Sequence, residues 1–171
     1  MPQVPVPPFA GRISRRAVLA GLAGASLAAA CRISTARAEL ASFPKSKLVI
    51  ETASGKYNFN IELALSQPQM AQGLMFRRAL APDAGMLFDY GEPQPIAMWM
   101  KNTLIPLDMV FIGKDGKVVD FHERAVPMSL DTIEPKVPAR AVLEVNAGTV
   151  QRLGLQVGDT VHHAFFGNAL N

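Results

Sequence analysis

The chain has 171 residues with 17 Lys and Arg against 14 Asp and Glu, so its formal net charge is +3. Five of the arginines and none of the acids fall in the first 38 residues, which leaves a net charge of −2 on the remaining 133. Nucleic-acid binding needs a basic surface that this larger part does not have, so its charge argues against a nucleic-acid partner.

The first 38 residues have the pattern of an export signal. Arg15 and Arg16 form a charged pair, residues 17–30 are small or apolar, and Ala36-Arg37-Ala38 offers a cleavage site ending at Ala38. The Ser-Arg-Arg context resembles a twin-arginine signal. The uncharged run of 14 residues is shorter than the roughly 20 needed to cross a bilayer. We therefore expect cleavage after Ala38 and a periplasmic or secreted protein with no membrane span after processing.

The single cysteine, Cys31, lies inside this leader. Cleavage after Ala38 removes it, and with it any disulfide, thiol catalysis or thiolate metal site in the mature protein. An alternative is that residues 28–31 form a lipoprotein cleavage box, which would make Cys31 a lipidated membrane anchor. The leucine usual three places before such a cysteine is missing, which favours simple cleavage.

The rest of the chain predicts a linker at residues 39–46 and one β-rich domain at residues 47–167. Alternating apolar residues predict strands that include residues 47–52, 57–65, 118–122, 140–146 and 160–166. Asp115-Gly116 predicts a hairpin turn between residues 109–112 and 118–122. Ser66 and Gln69 predict a capped helix through about residue 75, and Asn146 and Gly154 predict the two ends of a second. The expected fold is mainly β (α+β), a single curved sheet or small β-barrel with one or two short helices.

Residues 98–111 are predicted to form a central hairpin that carries the function. Two apolar runs flank a short polar connection there, and a register with Lys101 opposite Asp108 would place both side chains on the Trp99 face. Both faces of these strands are mostly apolar, and a carboxylate covered on both sides needs a partner that offsets its desolvation. The pattern therefore predicts an ion pair between Lys101 and Asp108.

Several blocks, in a fixed order, resemble the family called domain of unknown function 192. They are Gly-Leu-Met-Phe-Arg at 73–77, Gly-Met-Leu-Phe at 85–88, Trp-Met-Lys-Asn-Thr at 99–103, Ile-Pro-Leu-Asp at 105–108, Leu-Glu-Val-Asn-Ala-Gly at 143–148 and Gly-Asp at 158–159. The resemblance covers roughly residues 48–163 and implies a small β-rich bacterial protein, often exported. It implies no established activity.

Six residues are candidates for a ligand site: Trp99, Lys101, Asn102, Asp108, Glu123 and Glu144. A few polar groups converging beside an aromatic platform can hold a small polar ligand such as a sugar or peptide. We therefore predict a binding or accessory module whose partner is a small polar ligand or an envelope protein. The competing interpretation is a structural ion pair that fixes the hairpin register, because such pairs imitate sites.

Two other functions remain open. Asp108 with Glu123 or Glu144 would form the acid and base of an envelope hydrolase if two carboxyl groups faced one cleft. No nucleophile motif accompanies them, so no catalytic residue and no cofactor are assigned. Met98, Met100 and His162 are the candidate ligands of a copper site, although methionine also packs well in irregular cores.

Overall fold

The computed structural model describes residues 41–170. The predicted signal, with Arg15, Arg16, Cys31 and Ala38, lies outside these residues, so export and lipidation stay predictions. Within the described range the chain forms seven strands and two short α-helices, which confirms the mainly β class. None of the helices described is both long enough and apolar enough to cross a membrane.

The strands are β1 (Lys45–Thr52), β2 (Gly55–Ala64), β3 (Ala84–Gln94), β4 (Leu107–Ile112), β5 (Val118–Ala125), β6 (Ala139–Asn146) and β7 (Thr160–His162). The helices are α1 (Gln67–Gln72) and α2 (Thr149–Leu153), and a 3-10 turn follows β7 at Ala164–Phe166. One sheet contains all seven strands in the order β5-β4-β6-β3-β2-β1-β7. Its pairs are antiparallel except β2 with β3, which α1 connects.

The sheet curls until its two edge strands meet at one end. Lys117, just before β5, forms an antiparallel bridge with Thr160 of β7, and the Val118 N–H donates to the Asp159 carbonyl at 2.9 Å. The predicted Asp-Gly turn between β4 and β5 lies at this junction. Its Gly116 has a φ of +82° and packs so closely that a Cβ would lie 2.6 Å from a backbone oxygen. Only glycine fits there, so this turn helps to hold the curled edge in place.

Both faces of the central strands are buried. The inner cluster receives side chains from every strand and from α2; its members include Leu48, Phe59, Leu87, Val110, Leu143, Val150 and Val161. The outer cluster covers the other face of β3, β6 and β4 and includes Leu74, Met86, Phe88, Met98, Met100, Met109 and Phe111. All six residues of β4 are buried, as expected for a strand covered on both sides.

The predicted hairpin over residues 98–111 is wrong. Its second half is β4, but β4 pairs with β5 and β6. The first half crosses the outer face as a loop, and Met98 forms an isolated bridge with Ile133. Ile96, Met98 and Met100 alternate because they point down into the outer cluster. The alternation here reflects the burial of every second side chain of a loop, and this loop is not a strand of the sheet.

The helix ends follow the sequence signals in part. Ser66 and Gln69 form the predicted capping box of α1, which ends at Gln72 rather than near residue 75. Gly154 closes α2 as expected, but the N-cap is Gly148 and not Asn146. The Asn146 amide instead donates to the carbonyls of residues 80 and 81, at 3.1 and 2.9 Å. Its side chain is used to tie the loop before β3 to β6.

Candidate ligand-binding cleft

Glu144 is a buried carboxyl group on the outer face of β6. The strand register places it between Met86 of β3 and Met109 of β4, both of which are fully buried. Glu144 itself is only 4 % exposed. No side-chain hydrogen bond or charge partner from residues 41–170 offsets this burial, which raises the pKa of Glu144 to about 8. The carboxyl is therefore mostly protonated at neutral pH.

The Glu144 side chain lines a small cleft of about 80 Å³. Four segments form its walls: α1 with the turn after it, β3, the loop before β4, and β6. The lining side chains are largely thioether, aromatic and small, and include Met70, Met75, Phe88, Tyr90, Ala97, Met98, Trp99 and Thr103. A carboxyl group thus opens onto a cavity whose accessible lining is more polar than apolar.

Trp99 also lines this cleft, and it is 49 % exposed. The Lys101 ammonium lies 5.0 Å from the centre of its ring, a cation–π contact of about 0.5–1 kcal/mol at an exposed site. The structure therefore brings Trp99 and Glu144 to one cavity, with Lys101 beside Trp99. Of the six predicted ligand-site residues, only Trp99 and Glu144 line the cleft.

Asp108 is on the opposite face of the sheet. Its carboxylate accepts hydrogen bonds from the N–H groups of Arg124 and Val150, each at 2.8 Å, and its side chain is fully buried. Val150 is in the first turn of α2, and Arg124 adopts a φ of +54° at a bulge in β5. The predicted Lys101–Asp108 pair is therefore wrong. Backbone N–H groups, which the sequence pattern does not reveal, hold this carboxylate instead.

The other polar candidates lie around the cleft or away from it. Asn102 has its side-chain amide 3.8 Å from the Met75 sulfur, so it supports one wall. Glu123 is exposed on the edge strand β5 and does not line the cleft. Asp108 and Glu144 occupy opposite faces, and Asp108 is fully buried whereas Glu123 is exposed, so neither predicted carboxylate pair faces a common cleft as a hydrolase would require.

The three predicted copper ligands do not converge. Met98 lines the cleft and Met100 is fully buried in the outer cluster. His162 lies on β7, where its two ring nitrogens contact the Glu51 carboxylate at 2.7 Å and the Asn168 carbonyl at 2.9 Å. Across the described chain, no group of three or more His, Cys, Asp and Glu side chains is arranged to hold a metal.

The segments that adjoin the lining residues Met75 and Thr103 contain backbone strain that the sequence does not signal. Phe76, Asn102 and Met128 have φ values of +65°, +56° and +64°, a region costly for residues other than glycine. Backbone hydrogen bonds join their segments, from the Phe76 N–H to the Asn102 carbonyl and from the Met128 N–H to the Thr103 carbonyl. Phe76 and Met128 are exposed. Strain of this kind, about 1–3 kcal/mol per residue, concentrates at functional sites.

A larger groove, of about 560 Å³, runs along β1, β2 and the loop before β3. Lys45, Lys47 and Arg77 line it together with Glu62. The Arg77 guanidinium is already paired with Glu62, and the two lysines are exposed. The charged groups of this groove are thus paired or solvated, whereas the Glu144 carboxyl in the smaller cleft has no side-chain hydrogen bond or charge partner within residues 41–170.

The model of the DUF192 family, described as "Uncharacterized ACR", matches residues 49–163. The chain is similar to a crystal structure of a "putative transcription regulator" from Sinorhizobium meliloti 1021, with 50% identity, a TM-score of 0.71, and coverage of 73% of this chain and 98% of that one. It is also similar to a protein of unknown function from Novosphingobium aromaticivorans DSM 12444, with 38% identity, a TM-score of 0.68, and coverage of 70% and 85%. No curated protein matches this chain.

Proposed function

Because the chain belongs to the DUF192 family, whose description assigns no activity, we propose its function from the cleft itself. The protein is an exported binding module, and one part of a small ligand binds in the cleft between Trp99 and Glu144. The observation that carries this proposal is Glu144, which is only 4 % exposed, has no side-chain hydrogen bond within residues 41–170, and lines the cleft with its carboxyl group. Perturbed ionisable groups in clefts are typical of functional sites.

The size of the cleft limits what enters it. At about 80 Å³ it is well below the roughly 300–1,000 Å³ of a cavity that encloses a whole small ligand. The ligand therefore inserts one group, and the rest lies on the surface outside. That surface exposes large apolar side chains, among them Phe76, Trp99 and Met128, which suit a ligand with an apolar part.

A thermal-shift screen of the processed protein tests this function. Sugars, peptidoglycan fragments, short peptides and amines are the ligand classes to include. A ligand at one hundred times its dissociation constant stabilises the folded state by about 2.7 kcal/mol, which a melt detects. We expect a shift that Trp99→Ala abolishes and that Val157→Ala, an exposed apolar residue outside the cleft, leaves unchanged. A screen without a shift, or one insensitive to Trp99→Ala, would contradict the proposal.

Export is supported by the leader sequence, and periplasmic localisation follows from it. Fractionation of cells that express the full chain should place the protein in the periplasm, with a mature N-terminus at Glu39. Replacing Arg15 and Arg16 with lysine should block a twin-arginine route. Cys31→Ser should change nothing after simple cleavage, whereas loss of membrane association in that variant would support a lipoprotein.

A copper carrier is the second candidate, and the concentration of methionine at the cleft favours it. Met70, Met75 and Met98 line the cavity, while Met86 and Met109 flank Glu144. Thioethers are soft ligands that suit Cu(I). Uptake of one equivalent of Cu(I), lost in Met98→Leu but kept in Met100→Leu, whose buried side chain does not line the cleft, would favour this candidate. Absence of stoichiometric uptake would eliminate it.

A further inference from the structure

We propose that the group entering the cleft is the ammonium of an organic ligand, bound by the Glu144 carboxylate. This inference rests on the binding function proposed above and narrows it to one chemical class. A lysine side chain of a peptide and a free alkylamine share this chemistry.

The charges around the cleft favour a cation. Among the described residues that line the cleft, Glu144 alone has a carboxyl group, and none is Lys, Arg or His. Lys101 contacts the Trp99 ring and Arg77 pairs with Glu62, and neither cation lines the cleft or contacts Glu144. A buried carboxylate is costly without an opposite charge. An ammonium from outside would supply that charge, whereas an anionic ligand would be repelled.

The walls are suited to the same kind of group. Phe88, Tyr90 and Trp99 line the cleft, and aromatic rings attract cations through their electron-rich faces. The Tyr90 hydroxyl donates to the Met98 sulfur at 3.6 Å, which leaves its oxygen free to accept a hydrogen bond from an N–H group. Burial and the neighbouring Glu144 raise the pKa of Tyr90, so this hydroxyl stays neutral. The cleft therefore offers two acceptors and several rings to one ammonium.

Binding of a cation is coupled to loss of a proton. The Glu144 carboxyl has a pKa of about 8 and must ionise to pair with an ammonium, so its proton passes to solvent while the ligand keeps its own charge. At pH 7 about nine-tenths of the carboxyl groups are protonated, so about 0.9 proton should be released per ligand bound. Affinity should increase about fiftyfold from pH 6 to pH 8 and level off above that.

The single tryptophan makes the test direct, because Trp99 fluorescence reports on the cleft alone. The processed protein is titrated with butylammonium, tetramethylammonium and neutral butanol at pH 6, 7 and 8. Proton release is measured by calorimetry in two buffers of different ionisation enthalpy. We expect one or both cations to bind, with the predicted proton release and pH dependence, and butanol to bind at least tenfold more weakly.

Glu144→Gln keeps the size of the side chain and removes its charge, so it should abolish ammonium binding. Glu123→Gln, at an exposed glutamate outside the cleft, is the matched control and should bind as wild type does. Thermal melts establish that both variants are folded. Equal binding of butanol, an affinity independent of pH, or full binding by Glu144→Gln would overturn the ammonium assignment while leaving a binding function in place. Failure of cations, neutral compounds and every class in the wider screen would overturn both.

Discussion

Asp108 connects α2 to the curved sheet, and its replacement should be among the most damaging single changes in the domain. Asp108→Ala leaves the N–H groups of Arg124 and Val150 without their acceptor in a fully buried site. Hydrogen bonds to a charged group contribute about 1.5–3 kcal/mol each. The two together predict a loss of about 3–6 kcal/mol in the free energy of unfolding, a large share of the 5–15 kcal/mol typical of a domain.

The position of α2 explains why nothing nearby replaces this carboxylate. Its N-cap, Gly148, has no side chain to accept a hydrogen bond from the first turn. Asp108 of β4, which lies 42 residues before Val150 in the sequence, accepts the Val150 N–H instead. In Asp108→Ala, amide exchange at Val150 and Arg124 should therefore accelerate more than exchange in β1 or β2.

Urea unfolding followed by far-ultraviolet circular dichroism measures the loss. Asp131→Ala is the matched control, because Asp131 is exposed and, within residues 41–170, its hydrogen bonds are to nearby Ser129; it should change stability by no more than about 0.5 kcal/mol. Lys101→Ala should also have a small effect, of about 0.5–1 kcal/mol, through its contact with Trp99. A loss below about 1 kcal/mol in Asp108→Ala, or strong coupling between Asp108 and Lys101 in a double-mutant cycle, would refute this account.

Three further changes test other parts of the fold. Folding raises the pKa of Glu144 from 4.5 to about 8. Between pH 4.5 and pH 8 the folded chain therefore binds more protons than the unfolded chain. The free energy of unfolding should fall by up to about 5 kcal/mol as the pH rises through this range. Glu144→Gln should flatten this profile in urea melts from pH 4 to 9; a wild-type profile that rises there would contradict the assignment. Ser66→Ala removes the capping group that accepts the Gln69 N–H and should cost about 1 kcal/mol in the same melts. Gly116→Ala meets a backbone oxygen at 2.6 Å and should lower the melting temperature more than Gly158→Ala, which has positive φ but open space; equal losses would mean that packing at this turn does not matter.

Local signals predicted the elements whose structure depends on local chemistry. The alternation of apolar residues identified β1, β2 and β6, because one face of each packs against the inner cluster. The capping box at Ser66 and the Asp-Gly turn before β5 required only residues a few positions apart. Glu144 was recognisable as a charge between two apolar residues of β6, and that anomaly identified a residue of the cleft.

The parts that sequence reasoning missed depend on distant partners. Met98 is bridged by Ile133, 35 positions away, and Asp108 is held by backbone groups 16 and 42 positions away. A backbone N–H group has no sequence signature, so a nearby lysine was a natural but wrong choice of partner. The positive φ values of Phe76 and Met128 cannot be predicted from the sequence either, since these residue types disfavour that conformation and adopt it only under tertiary constraint.

Asp108 and Glu144 show how differently one fold can treat two buried carboxyl groups on neighbouring strands. Asp108 is held by two backbone N–H groups, whereas Glu144 has no side-chain hydrogen bond or charge partner within residues 41–170 and opens onto a cleft. Neutralising the first should reduce stability, while neutralising the second should increase stability at high pH and remove ligand binding. That opposition between stability and binding is the trade-off expected where function needs a destabilised group at the site.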